Sequence, residues 1–243
     1  MSTASVRPVR QRPPRVPVVV RGAEPLTPHL VRVRVTGDFA HWPEPGPAAH
    51  LKVFLPEGDE TVMRTYTVRL FDRERDELVV DFVLHTGDGP AARWAKQAKP
   101  GDQLEVSGRS RSTFTPAEGT TSYLFAGDAS ALPAIATCLE ALPASARATV
   151  IASVYEAADQ LRLRSKAAVH ARWLHTPSDD EFVEAVAHVA ADRAWIACEA
   201  TVMRRIRTAL LDGGLYDRAD LATRGYWKRG EADHPDHDTG EDE

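Results

Sequence analysis

From Leu30 to Val35 the chain reads LVRVRV, with apolar and charged residues taking turns, the period of a strand with one buried face. Val16–Val20, Leu51–Leu55 and residues 65–70, 78–84 and 104–107 form further short apolar or alternating runs. Breaker-rich segments separate them: HWPEPGPAAH at 41–50, PEGDE at 56–60 and PGD at 100–102. The runs at 65–70 and 78–84 flank FDRERDE and predict a hairpin, and one helix over about 90–98 interrupts the series. Six or seven short strands with one late helix predict an antiparallel β-barrel.

The pattern then changes. Residues 123–125 are apolar and lead through Gly127-Asp128 into a predicted helix over about 130–142. ATVIASV at 148–154 is apolar almost throughout, as in a strand covered on both faces. Strands at 172–175 and 195–198 alternate with helices over 181–189 and 200–211. The last helix carries Val202, Ile206 and Leu210 on one stripe and stops at Gly213-Gly214. Alternating strands and helices predict a parallel sheet with right-handed crossovers. The expected fold class is therefore β + α/β: an N-terminal six-stranded antiparallel β-barrel, then a Rossmann-like parallel α/β domain. The expected division is a loose leader at 1–15, the barrel at 16–117, the α/β domain at 118–230 and a disordered acidic tail at 231–243.

Composition narrows the function classes. With 243 residues, 43% hydrophobic and 27% charged, the chain is ordinary for a two-domain globular protein. It has no apolar run of about 20 residues, as a membrane span needs, and its N-terminus lacks the apolar core of a signal peptide. A cytoplasmic protein is expected. The net charge of −5 argues against nucleic-acid binding. Much of it is local: residues 231–243 hold seven acidic groups and no lysine or arginine, leaving 30 basic against 28 acidic elsewhere. Cys138 and Cys198 stand among apolar neighbours and read as buried thiols. His234-x-x-His237 lies in the acidic tail and reads as solvated, so no metal site is expected.

Candidate chemistry concentrates between Arg64 and Trp94. Arg64 offers a fixed cation, Tyr66 a flat ring, and the 65–67 backbone hydrogen-bonding groups. Glycines 87 and 89 precede Pro90, which suits a first helical position, and the amides behind it are orphan donors ready for a phosphate. A large, flat, phosphorylated cofactor is the reading, with His85 near its chain; Arg64 and Tyr66 also read as ordinary strand residues. AGDASALPA (126–134) and CEATVM (198–203) each turn from a strand into a helix, where α/β sheets collect ligands, although neither is G-x-G-x-x-G. Simple strand–helix packing explains each equally well. YWKRG (226–230) packs its tryptophan at the domain interface, or turns Lys228 and Arg229 to a cleft that draws an anionic substrate. No nucleophile elbow supports hydrolase chemistry.

RTYTVR, DFVLHTGDGPAARWA, KPGDQLEVSG, LFAGDASALPAI, WIACEAT and YWKRG, in this order, resemble the siderophore-interacting protein family. These are FAD-containing ferric-siderophore reductases of the ferredoxin-reductase-like superfamily, and the resemblance covers about 16–230. It implies a FAD barrel, a domain for NADPH or NADH, and electron flow from nicotinamide through flavin to a ferric siderophore, which releases iron as Fe(II). Position by position, it implies that Arg64, Thr65, Tyr66 and Thr67 line the flavin ring. His85, Gly89, Pro90, Ala91 and Ala92 would hold the ribityl–diphosphate part, with Trp94 packing the helix. Gly127, Asp128, Ser130, Ala131, Leu132 and Glu199 match the nicotinamide side, and Lys52, Lys228 and Arg229 the basic substrate mouth. No acid–base residue is strictly required.

The sequence departs from the family at Ala92, where serine is common, at Ala129 for glutamate and at Cys198 for glycine. Ser110-Arg111-Ser112 also replaces a usual P-R-G. These departures leave open a ferredoxin donor, a siderophore-binding flavoprotein without nicotinamide turnover, or a reductase with another acceptor. A monomer is expected.

Overall fold

The alternating runs become one antiparallel barrel sheet followed by one parallel sheet. The structure is a computed structural model that describes residues 13–85, 89–108, 112–232, 234 and 238–240. The first sheet comprises β1 (Val16–Thr27), β2 (Leu30–Gly37), β3 (His50–Glu57), β4 (Glu60–Thr67), β5 (Leu70–Asp72), β6 (Glu77–Val83) and β7 (Gln103–Ser107), with α1 (Pro90–Gln97) before β7. Its order is β4-β3-β7-β1-β2-β6-β5, every pair antiparallel.

The barrel has seven strands where six are expected, because the run at 65–70 breaks. Its first part continues back to Glu60 and pairs with β3, Tyr66 opposite Leu51, while only Leu70–Asp72 forms the hairpin with β6. At the break, Val68 N–H donates to Ala49 O and Arg69 N–H to Val79 O. One continuous segment thus carries both ends of the strand order and curls the sheet into a barrel. Alternation does the rest: Val33, Val35, Val53, Leu55, Leu78 and Val80 point inward and are buried. β1 starts where Val16–Val20 predicts and runs on to Thr27, and register shifts near Gly22 and Pro25 absorb its glycine and proline.

The second sheet contains β8 (Ser122–Gly127), β9 (Arg147–Val154), β10 (Ala168–His175), β11 (Arg193–Glu199) and β12 (Leu221–Trp227), with helices α2 (Leu132–Ala141), α3 (Asp179–Ala187) and α4 (Ala200–Asp212). The order is β10-β9-β8-β11-β12, parallel throughout, with the chain reversing direction across the sheet between β8 and β11. β8 is apolar at every inner position because it serves two cores. Tyr123 and Phe125 pack on the α2 side, Leu124 and Ala126 on the α3–α4 side. Cys138 and Cys198 are free and buried.

Polar clamps join the sheets. Arg69 is bidentate to Glu140 on α2 at 3.0 and 2.7 Å, and Ala48 N–H donates to Thr137 Oγ1 at 2.9 Å. On another flank the Asp159 carboxylate takes the His29 backbone N–H at 3.1 Å, and the ring Nδ1 lies 2.8 Å away. No helix among the described residues is long and apolar enough to cross a membrane. Residues 1–12 of the expected leader lie outside the described residues, and Arg15 packs over the Phe54 ring.

The acidic tail differs from the solvated segment expected. Asp238 is buried, accepts from Arg204 at 2.9 and 3.0 Å and lies 2.8 Å from His234 Nε2. Gly225 N–H donates to its carbonyl, and Thr223 to Thr239 O. Paired charge and edge-strand hydrogen bonds hold this segment, and local composition cannot encode either. His237 lies outside the described residues.

Gly127 ends β8 where the chain must double back against β11. A Cβ there would sit 2.5 Å from Ala131 Cβ and 2.6 Å from Ala197 O. Gly127→Ala is therefore expected to cost about 1–3 kcal/mol, whereas Gly22→Ala, with nothing within 4 Å of the new methyl, is expected to be near neutral. Urea denaturation measures both, and equal midpoints would contradict this account.

Candidate functional site

A cleft of about 690 Å³ lies between the two sheets. The barrel side is built by β4, the start of α1 and the end of β6, and contributes Arg64, Thr65, Tyr66, Thr67, His85, Gly89, Pro90, Ala91 and Ala92. β4 ends the strand order, so among the described residues one of its backbone edges has no strand partner. The Tyr66 ring rests on Phe82 at 4.3 Å between centroids, and Phe82 rests on Trp94 at 5.4 Å. Trp94 therefore supports the platform from beneath and does not line the cleft. Burial pushes the Tyr66 phenol well above its usual pKa, against the opposing pull of nearby Arg64.

Arg64 donates to Met63 O at 2.7 Å and has no ion pair among the described residues. A half-buried guanidinium without a carboxylate among the described residues, lining the same cleft as a helix start, suits an anion. Gly89 caps α1 without a side-chain hydrogen bond, the first turn holds no acidic residue, and a Cβ at 89 would meet nothing within 4 Å. The residues present thus fit a flat ring on Tyr66 and a diphosphate near Arg64 and Pro90. Residues 86–88 of this loop lie outside the described residues, as do Ser110 and Arg111.

The other wall is the carboxyl end of the parallel sheet. The Asp128 carboxylate gathers it together. Oδ1 accepts from Ser130 N at 2.9 Å and from the Ser130 hydroxyl; Oδ2 accepts from Glu199 N at 3.0 Å and Trp227 Nε1 at 2.8 Å. One side chain thereby fixes the ends of β8, β11 and β12. Glu199 is buried and caps α4 through Val202 N at 3.0 Å, while its other oxygen accepts from Arg229 N at 3.2 Å. Asp128, Ser130 and Glu199 line the cleft, but both carboxylates are taken by protein donors, so they shape the corner. Gly127, Ala131 and Leu132 do not line it: the glycine permits the close turn, and the other two are buried core. Ala129 and Cys198 line it, and burial raises the Cys198 thiol far above its ordinary value.

Several lining residues escaped the sequence reading. Tyr155 follows β9 and reaches His85 Nδ1 at 3.2 Å across the cleft. Desolvation lowers the His85 imidazole pKa, opposed by Asp128, while burial raises that of the Tyr155 hydroxyl. Trp227 lies 6.0 Å from the His85 ring. Tyr155 stands at the carboxyl end of β9 as Asp128 and Glu199 stand at those of β8 and β11, and that shared position is the signal that points to it. Lys228 and Arg229 reach the cleft, whereas Lys52 does not line it and donates to Thr65 Oγ1 at 2.6 Å.

A barrel, a parallel sheet of this order and a cleft between them define the ferredoxin-reductase-like class. Ferredoxin reductase in carbazole 1,9a-dioxygenase shares the fold at 15% identity, with a TM-score of 0.69 over 87% of this chain and 67% of that one. The family profile described as "Siderophore-interacting FAD-binding domain" matches residues 55–112, and the one described as "Siderophore-interacting protein" matches 120–230. The chain belongs to the siderophore-interacting protein family. A siderophore utilization protein from T. fusca superposes with a TM-score of 0.85 at 29% identity, covering 93% of this chain and 97% of that one. The ferric vibriobactin reductase ViuB of Vibrio cholerae is 29% identical over 88% of this chain and 89% of its own length. The mycobactin import ATP-binding/permease protein IrtA of Mycolicibacterium smegmatis is 30% identical over 88% of this chain, which spans only 26% of that protein.

Asp128→Ala leaves four donors without their acceptor and is expected to destabilise by about 2–4 kcal/mol. It should also expose Cys198 to thiol reagents that leave the wild-type protein unlabelled. Urea denaturation and native-state labelling check both, with Asp128→Asn falling between.

Proposed function

We propose that this chain is a flavin-dependent ferric-siderophore reductase that takes electrons from NADPH or NADH, or from a ferredoxin, and releases iron as Fe(II). One observation carries the reading: one cleft joins a guanidinium with no ion pair among the described residues, and an aromatic platform on the barrel, to the carboxyl ends of β8 and β11. The reductase activity named for ViuB supports it. FAD bound there converts a two-electron donor into single-electron deliveries, and Fe(II), softer in charge than Fe(III), is held less tightly by hard oxygen ligands.

The protein's own residues position and insulate. Arg64 neutralises phosphate, and the α1 amides behind Pro90 add a helix-dipole contribution. Ala91 and Ala92 keep that approach free of bulk; Ala92 forgoes the hydroxyl common in the family. Thr65–Thr67 offer backbone groups to the ring's polar edge, and Tyr66 supports its face. His85 and Tyr155, hydrogen-bonded across the cleft, would flank the diphosphate. Asp128, Ser130 and Glu199 hold the opposite corner open for a nicotinamide nucleotide. The barrel (16–117) would hold the flavin and residues 118–230 the donor, in a cytoplasmic monomer.

The departures at Ala129 and Cys198 both lie in the cleft, and they favour testing ferredoxin beside the nicotinamides. The purified protein is expected to be yellow, to bleach under anaerobic conditions with NADH, NADPH or reduced ferredoxin, and to recover its colour on adding a ferric siderophore. Bleaching by no donor, with FAD bound, favours a binding protein; recovery with quinones or free flavin alone favours another acceptor. Failure to take up FAD would sink the proposal.

Arg64→Ala is expected to weaken FAD binding about 10- to 100-fold, the loss of one charge-assisted contact. Flavin fluorescence titration measures it.

A further inference from the structure

We infer that the acceptor mouth of this chain selects ferric complexes of low net charge over polyanionic ones. The inference rests on the proposed reductase function and names the substrate class of that site. Two cations stand at the cleft rim, and each is neutralised by a carboxylate that also lines it. Arg229 meets Asp179 through both terminal nitrogens at 2.8 and 2.7 Å, and Lys228 Nζ lies 2.5 Å from Glu231 Oε1. The Arg229–Asp179 contact holds the arginine above and the aspartate below their usual pKa values, so both stay charged.

Beyond the rim the balance does not turn positive. Among the described lining residues Arg64, Lys228 and Arg229 face Asp81, Asp128, Asp179, Glu199 and Glu231. Asp81 is offset from behind by Arg32 at 2.7 and 2.8 Å. Arg64 is the cation the flavin diphosphate would take, and that group brings two further negative charges. Lys52 is turned to Thr65, off the cleft lining. A polyanion entering this mouth therefore meets no uncompensated cation among the described residues.

Siderophore chemistry converts this into classes. Six phenolate oxygens around Fe(III) leave a tris-catecholate complex with three negative charges, whereas three hydroxamates exactly balance the metal's three positive charges. Neutral tris-hydroxamates, or those bearing a backbone amine, suit the mouth. Electron delivery needs only the reductant already proposed: each Fe(III) takes one electron, and two complexes reoxidise one fully reduced FAD with release of its protons.

The test varies charge at constant iron coordination. FAD-loaded protein is titrated with redox-inert Ga(III) tris-hydroxamates whose backbones carry an amine, no charge or a carboxylate, and with the Ga(III) tris-catecholate, following tryptophan fluorescence. The Fe(III) hydroxamates are then mixed with dithionite-reduced protein and flavin reoxidation is timed. Wild type should bind the carboxylate-bearing hydroxamate about 10-fold more weakly than the amine-bearing one at low salt, a gap that closes as salt rises. Asp179→Asn and Glu231→Gln, each freeing one cation, should strengthen binding of the carboxylate-bearing complex and the tris-catecholate by about 3- to 10-fold, and that of the neutral complex less. Either variant alone suffices should the other lose its fold. Tighter wild-type binding of the anionic complexes, or affinities blind to charge in wild type and variants, would overturn the inference while leaving the reductase proposal standing. Binding of none of the complexes, with flavin left reduced by all of them, would overturn both.

Discussion

Three parallel strands end at one level in the second domain, and each leaves the sheet by a turn that exposes backbone donors. A single carboxylate resolves this. Asp128 takes donors from its own 3₁₀ turn, from the start of α4 and from the indole that closes β12. Without such an acceptor these groups would face a half-buried cleft with nothing to satisfy them. Gly127 sets how closely the turn can approach, and Glu199 repeats the device one strand over by capping α4 and holding the Arg229 amide. The carboxyl edge of the sheet is thereby rigid before any ligand arrives.

That rigidity sets what the cleft can be. Its far wall belongs to the barrel, joined to the α/β domain by the Arg69–Glu140 and His29–Asp159 contacts on separate flanks. The walls differ in character. The barrel wall leaves hydrogen-bonding and electrostatic capacity unspent, in Arg64 and in the uncapped start of α1. The α/β wall has spent most of its own, because its carboxylates and the rim cations are already matched. Unspent capacity marks where a charged cofactor gains most; matched charge marks where partners are chosen by shape and by the absence of attraction.

Much of this was legible in the residues. Strict alternation marked the barrel strands, and the switch to long apolar strands with helices between them marked the parallel sheet, because burial on one face or two leaves a local trace. Arg64–Thr67 and Gly89–Ala92 could be read together, since strand, loop and helix start lie close in sequence and the cues of Pro90 are local. The break at Val68, which makes seven strands from an expected six, was hidden: the residue there is an ordinary β-former, and only barrel closure requires the chain to change partners.

Sequence by itself determined the two-part architecture and the segment proposed to hold the flavin, for which short-range periodicity and turn chemistry suffice. Tertiary structure alone decided how charge is spent. Asp128 reaches Trp227 from 99 residues away, Arg229 finds Asp179 from 50 and Asp238 finds Arg204 from 34. Whether a carboxylate is a ligand or a brace, and a cation a lure or half of a pair, depends on a partner that only folding brings within hydrogen-bonding distance.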